Sequence, residues 1–248
     1  MATTIFTPSM LRGAGTRGIP EIPAGSSFTN TYSMKFDGID EAVQIPTLTT
    51  TANYTISFWA KLDSSTITSA YILAQHHPTS TNQIYFNNSE TMYFKGDGTV
   101  GNIQVDGTNG VPFSMDDGQW HHYAFTKTGT TMTWWFDGVN PDTPTITVGA
   151  GGFVLDWIGN AWTVAHYING NLDELAIWDG DQASNMSTIY NGGTPGDLSG
   201  LSPLLWLRMG DDATWDGSDW TLTDQGSSGN DGTSDNMDLD DRVTDVPS

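Results

Sequence analysis

Asp173 and Glu174 are the adjacent carboxyl groups in this chain with the clearest chemical potential. Cleavage of a glycosidic bond by a retaining mechanism needs an acid and a nucleophile about 5 Å apart. The phrase Asn171-Leu172-Asp173-Glu174-Leu175-Ala176-Ile177 reads as a strand, and neighbours on a strand point to opposite faces. Asp173 and Glu174 are therefore expected not to act as a pair. Glu occurs only at 21, 41, 90 and 174, so few other partners exist. Other routes to bond breaking fare no better. The chain has no Cys and no G-x-S-x-G phrase, and its His residues are 76, 77, 121, 122 and 166. His121 and His122 follow Trp120 on an expected strand, one as a hydrogen-bonded structural residue and the other on the surface. His76 and His77 precede Pro78 in an expected loop, without zinc-ligand spacing. No catalytic residue is assigned.

Binding chemistry is better represented. A sugar ring lays its C–H face on an exposed aromatic ring, and polar neighbours read its hydroxyls. Strand alternation turns Tyr85 away from Ile84 and Phe86, and Trp135 away from Trp134 and Phe136. Trp162 follows Gly159-Asn160 at an expected loop edge. Tyr85, Trp135 and Trp162 are thus the candidate glycan-binding residues. The turn Asp37-Gly38-Ile39-Asp40 gathers carboxylates and a carbonyl as calcium requires, whereas Asp179-Gly180-Asp181 lacks the central Gly and closing Glu of an EF-hand.

The elements that must position these groups are short and numerous. In 248 residues, ten Trp, ten Phe and eight Tyr accompany 28 Gly, a balance that favours strands and turns. Tyr32, Met34 and Phe36 alternate with Ser33 and Lys35, and Ile56, Phe58, Ala60 and Leu62 share one face of 54–62. A hairpin is expected over 83–87 and 91–95, and another over 120–127 and 131–137. Further strands are expected at 100–105, 144–149, 153–159, 164–168 and 172–178, with 204–209 as the last. Asp181 and Ser184 would cap one helix carrying Met186, Ile189 and Tyr190, ended by Gly192-Gly193. The reading is an all-β antiparallel two-sheet sandwich. It divides into an extended arm (1–30), a sandwich (31–210) and an acidic Asp/Gly-rich segment (211–248) that packs on it or trails from it.

Four phrases resemble the corners of the laminin-G-like, concanavalin-A-like jelly-roll family: Met34-Lys35-Phe36-Asp37-Gly38-Ile39-Asp40, Gly118-Gln119-Trp120-His121-His122, Trp135-Phe136-Asp137-Gly138 and Asn169-Gly170-Asn171-Leu172-Asp173-Glu174. The phrase from Asp224 to Gly232 resembles the family's D-x-S-G-N-x-x-G turn, here placed after the sandwich strands. The resemblance implies a jelly roll with a short helix, with Trp59 and Trp120 serving the fold. It also implies a structural calcium pinning Asp37 and Asp40 to a neighbouring strand, with Asp173 as third ligand. Glycan hydrolases of the family carry E-x-D-x-E on a strand. Here Asn171 stands at the first acid position and no third acid follows, so a non-enzymatic protein is expected.

Charge and the termini complete the expectation. The formal net charge of −21, from 29 acids against 8 bases, disfavours nucleic acid. Met1 to Pro20 holds no apolar run of signal-peptide length, and no stretch approaches a membrane span. Trp206-Leu207-Arg208-Met209-Gly210-Asp211 and the Asp/Gly-rich ending resemble laminin-G-like proteins of marine bacteriophages. The resulting expectation is a homo-oligomeric virion protein (a capsid decoration, fibre or tail component) made in the host cytoplasm. Its arm would contact other virion subunits, and its sandwich would touch cell-surface glycans. The alternative is an extracellular carbohydrate-binding module or an adhesin fragment of a bacterial surface protein.

Overall fold

Apolar residues at every second position commit each strand to one inner face. The computed structural model describes residues 28–63, 70–76, 81–88, 91–104, 117–140, 146–161 and 166–248. Strand β1 (Ser33–Asp37) buries Met34 and Phe36 and exposes Lys35 and Asp37. Strand β2 (Ala42–Thr49) buries Val43 and Ile45 on either side of exposed Gln44. This alternation belongs to antiparallel sheet with one solvated face.

Two antiparallel sheets result. The first runs β10 (Ile146–Thr147), β9 (Thr131–Phe136), β8 (Trp120–Thr128), β3 (Tyr54–Leu62), β12 (Asn169–Trp178), β1 and β17 (Arg242–Val243), and β13 (Leu205–Leu207) also pairs with β12. The second runs β14 (Ala213–Trp215), β15 (Trp220–Leu222), β16 (Gly232–Asp235), β2, β11 (Val154–Ile158), β4 (Ala70–Ala74), β5 (Gln83–Asn88), β6 (Thr91–Gly96) and β7 (Thr99–Gln104). This is the two-sheet sandwich that alternation predicts, and with the short helix α1 (Met186–Tyr190) it takes the jelly-roll-like form that the resemblance implies.

Aromatic rings fill the seam between the sheets. Phe94 of the second sheet meets Phe125 of the first at 5.3 Å between centroids, and Tyr54 meets Phe153 at 5.8 Å. All four are buried. Each such ring contributes roughly 1.5–3 kcal/mol through burial. The outer face of the first sheet is also dry, for a different reason. Ala124, Ser57 and Ala176 lie side by side across β8, β3 and β12. Their small side chains let Met186 and Ile189 of α1 close on the sheet with Trp178, Leu198 and Trp206.

That roof corrects the histidine expectation, because both residues are buried. His121 stacks on Phe136 at 4.7 Å and reaches Asp137 through Nδ1 (2.9 Å). His122, expected at the surface if His121 faced inward, lies under Tyr190 and against Trp59, with Nε2 2.8 Å from Ser57 Oγ. Burial pushes the His122 imidazole down to about 3.

The last strand is another correction. Four strands follow β13, and residues 211–248 supply β14, β15 and β16 to the second sheet and β17 to the first. Asp224 organises this return: Oδ1 accepts the Trp206 and Gly226 N–H groups at 2.9 and 2.7 Å. Its Oδ2 accepts the Ser228 hydroxyl at 2.7 Å and the Asn230 N–H at 3.0 Å. Residues 166–168 are not strand, and 162–165 lie outside the described residues. At the helix, Asp181 accepts the Ala183 N–H at 2.8 Å, whereas Ser184 caps nothing and Asn191 (φ 49°) ends it.

Two outcomes follow. A chain truncated after Gly210 loses β14–β17 and is expected to lose its cooperative thermal transition, whereas a wild-type midpoint would refute the structural role of the tail. For His122, the unfolded state binds the proton between about 6.5 and 3, so its contribution is full above that window and lost as pH falls through it. Denaturation midpoints over this range should therefore fall less steeply for His122→Gln than for wild type; parallel profiles would contradict the assignment. Glu41, pushed up to about 8 by burial, acts in the opposite sense but is common to both proteins.

Candidate functional site

The acid pair is not arranged as alternation predicts. The β12–β3 register shifts between Asp173 and Ala176, and Glu174 takes φ 48°, a left-handed conformation in a bulge. The bulge breaks the strict opposition of faces and leaves both carboxyl groups buried. Asp173 accepts the Glu174 N–H (2.9 Å) and the Asn30 amide (2.8 Å). Glu174 accepts the Trp206 indole N–H (2.6 Å) and Arg208 Nε (3.1 Å). Burial, then the charge of Glu174, raises Asp173 well above the carboxylate range. Glu174 is pushed up to about 7 by burial, opposed chiefly by Arg208. Each of the four oxygens holds a donor, so the pair is a structural knot.

The knot also fixes the end of the arm. Phe28 stacks on Trp206 at 6.3 Å, with the Arg208 guanidinium 4.4 Å from the Phe28 centroid. Thr29 O accepts from Arg208 at 2.5 Å, and Thr31 N–H donates to Asp211 at 2.8 Å. A cleft of about 400 Å³ opens beside them, lined by Phe28, Asp197, Trp206, Arg208, Asp212 and Gln225 among others. Neither Asp173 nor Glu174 lines it. Residues 1–27 of the arm lie outside the described residues.

The residues expected for calcium do not gather. Asp37 Oδ1 accepts the Ile39 N–H of its own turn at 2.7 Å, and the Asp40 carbonyl accepts Asn236 at 3.1 Å. Asp37 pairs with Asn169 across β1 and β12, four residues from Asp173. At the strand rise this is a separation of ~13 Å. Among the described residues, no three His, Asp or Glu side chains are arranged to hold a metal ion.

The aromatic candidates separate. Trp135 lies half-buried, packed against the helix cluster, and donates through Nε1 to Thr126 at 3.3 Å, apart from the other candidates. Trp162 lies outside the described residues. Tyr85 is the centre of a ladder. It pairs with Tyr71 of β4 on one side and Tyr93 of β6 on the other. The ring centroids are 5.0 and 5.1 Å apart, and the Tyr85 and Tyr93 rings are nearly parallel at 11°. All three rings are half-buried on the outer face of the second sheet. Burial raises the Tyr71 and Tyr85 phenols, and at Tyr85 the two neighbouring phenols add to the rise. These hydroxyls therefore remain neutral donors and acceptors beside an apolar surface. Sequence reasoning missed Tyr71 and Tyr93, although the expected 83–87/91–95 hairpin already sets Tyr85 opposite Tyr93.

Comparison with known proteins fits this architecture. A family profile described as the concanavalin A-like lectin/glucanases superfamily, of laminin-G type, matches residues 37–189. No curated protein matches the chain. Among solved structures, a Bacteroides ovatus protein assigned to carbohydrate binding aligns with a TM-score of 0.65 at 13% identity, covering 89% of this chain and 62% of that one. The chain thus spans under two thirds of that relative's length. A heptameric SAP-like pentraxin from Limulus polyphemus aligns with a TM-score of 0.50 at 16% identity, covering 65% of this chain and 82% of that one. At these identities the structural likeness speaks for the fold alone. On the family match over more than half its length, the chain belongs to the concanavalin A-like lectin/glucanases superfamily as a laminin-G-type domain.

Proposed function

We propose that this chain is a carbohydrate-binding module that holds a neutral glycan against the Tyr71–Tyr85–Tyr93 ladder. The carrying observation is three half-exposed tyrosines in register across three strands, on the face turned away from the core. Such a row offers apolar ring surface and hydroxyls together, the pairing that a sugar presents in return. Laminin-G-type domains of this superfamily are typically non-catalytic lectin and adhesion modules, in keeping with a binding role. The carbohydrate-binding assignment of the Bacteroides ovatus protein supports the same reading.

Charge narrows the ligand. A net charge of −21 opposes sulfated and uronate-rich polymers, whose approach would be slowed and weakened by repulsion. The finer virion role rests on sequence resemblance alone, and neither relative named above is described as a virion component. The extracellular carbohydrate-binding alternative draws on family and site together.

Tyr85→Ala tests the proposal. Losing the central ring should weaken binding of neutral oligosaccharides by about tenfold, the equivalent of roughly 1–1.5 kcal/mol of ring contact, as read by calorimetric titration. The thermal midpoint should move by only a few degrees because the ring is half-exposed. Unchanged affinity in a folded variant would remove the ladder as the site.

A further inference from the structure

The aromatic surface extends beyond Tyr71. Strand β11 lies beside β4 and pairs Trp157 with Ala74, which in turn pairs with Gln83 of β5. Directly paired residues share a face, so Trp157 looks out on the same side as Tyr85. Alternation alone would not allow this. Leu155 and Ile158 are both in the core, and two residues separate them. A register shift between Leu155 and Trp157 absorbs the mismatch and turns Trp157 outward. A matching shift between Tyr71 and Leu73 in β4 keeps Tyr71 and Ala74 on that face although Ile72 and Leu73 are both buried.

Trp157 is half-exposed and has a companion. The exposed His76 ring lies 5.5 Å from it at 47°. Asp156 Oδ1 accepts the backbone N–H of His76 at 2.5 Å, which ties this end of β4 to β11 and keeps His76 beside Trp157. One aromatic face, one imidazole and one carboxylate thus meet on the open side of the sheet. From strand spacing and rise, Trp157 lies ~8 Å from Tyr71 and ~16 Å from Tyr93. A single sugar cannot cover that span.

We infer that Trp157, His76 and Asp156 form a second saccharide subsite continuous with the tyrosine ladder, so that the ligand is an internal stretch of a linear neutral glycan. The inference rests on the reading of the ladder as a glycan platform. Trp157 supplies the stacking face, while His76 and Asp156 supply a donor and an acceptor for sugar hydroxyls. Chain length then sets affinity: short oligosaccharides use only the ladder, and longer ones reach Trp157.

Calorimetric titration of the full chain with cello-, laminari- and xylo-oligosaccharides of two to six units tests this. In whichever series binds, wild-type affinity should rise steeply with length. Trp157→Ala should lose about tenfold on the hexasaccharide and less than about twofold on the disaccharide, whereas Tyr85→Ala should lose affinity at both lengths. If Trp157→Ala is unstable, Trp157→Leu keeps bulk without the aromatic face and should behave alike. Unchanged hexasaccharide affinity in the Trp157 variants, with Tyr85→Ala still impaired, would overturn the second subsite and leave the ladder standing. Equal losses at both lengths would also overturn it, by placing Trp157 in the primary site. Binding by none of the three series, or full binding by Tyr85→Ala, would remove the ladder and the subsite together.

Discussion

Ile84, Phe86, Met92 and Phe94 are sealed in the seam between the sheets, and that commitment turns Tyr85 and Tyr93 outward. Because side chains along a strand alternate, a slip of one residue would exchange core and surface wholesale. Deep burial of Phe94 against Phe125 and Phe153 therefore fixes the register that lines up the tyrosines. Two bulges, in β4 and β11, then adjust the phase so that Tyr71 and Trp157 join the same outer face. The binding surface is a consequence of how the core is filled.

Several ionisable groups that enter the interior are held by protein partners. Lys127 is fully buried, yet its ammonium donates to the Ala52 and Gly151 carbonyls at 2.7 and 2.8 Å and lies 5.2 Å from the Tyr54 ring centroid. Burial lowers its pKa, and those carbonyls tie two loops to the end of β8. Glu174 and Arg208 do the same for the arm and the tail. Such pairs are weak evidence of added stability, because desolvation offsets much of their attraction, but each loses heavily if one partner is removed. Their oxygens and nitrogens are engaged by protein partners. The acidic charge left on the surface sets the sign of what can approach.

Much of this was legible in the sequence. Alternation around Met34 and Phe36, and at 54–62, identified strands, and the hairpin register set Tyr85 against Tyr93. Strict alternation also misled. It placed Asp173 and Glu174 on opposite faces because a left-handed residue inside a strand leaves no simple trace when it is Glu rather than Gly. It put one of the two consecutive histidines at the surface because a roof over a sheet is a tertiary event. Strands of three residues, such as β14 and β15, are too short for a periodic signal, so the tail read as an appendage. Tyr71 was hidden by the bulge beside it. Trp135 did turn away from Trp134 and Phe136, but a helix packs on that side of the sheet and leaves the ring only partly open.

The most direct test of the central claim is nuclear magnetic resonance of the chain labelled with ¹³C at the tyrosine rings, titrated with a neutral oligosaccharide. Saturable shifts concentrated at Tyr71, Tyr85 and Tyr93 are expected, with the buried Tyr54 and Tyr123 signals unmoved. Shifts located elsewhere, or none at millimolar ligand across neutral glycans, would contradict it.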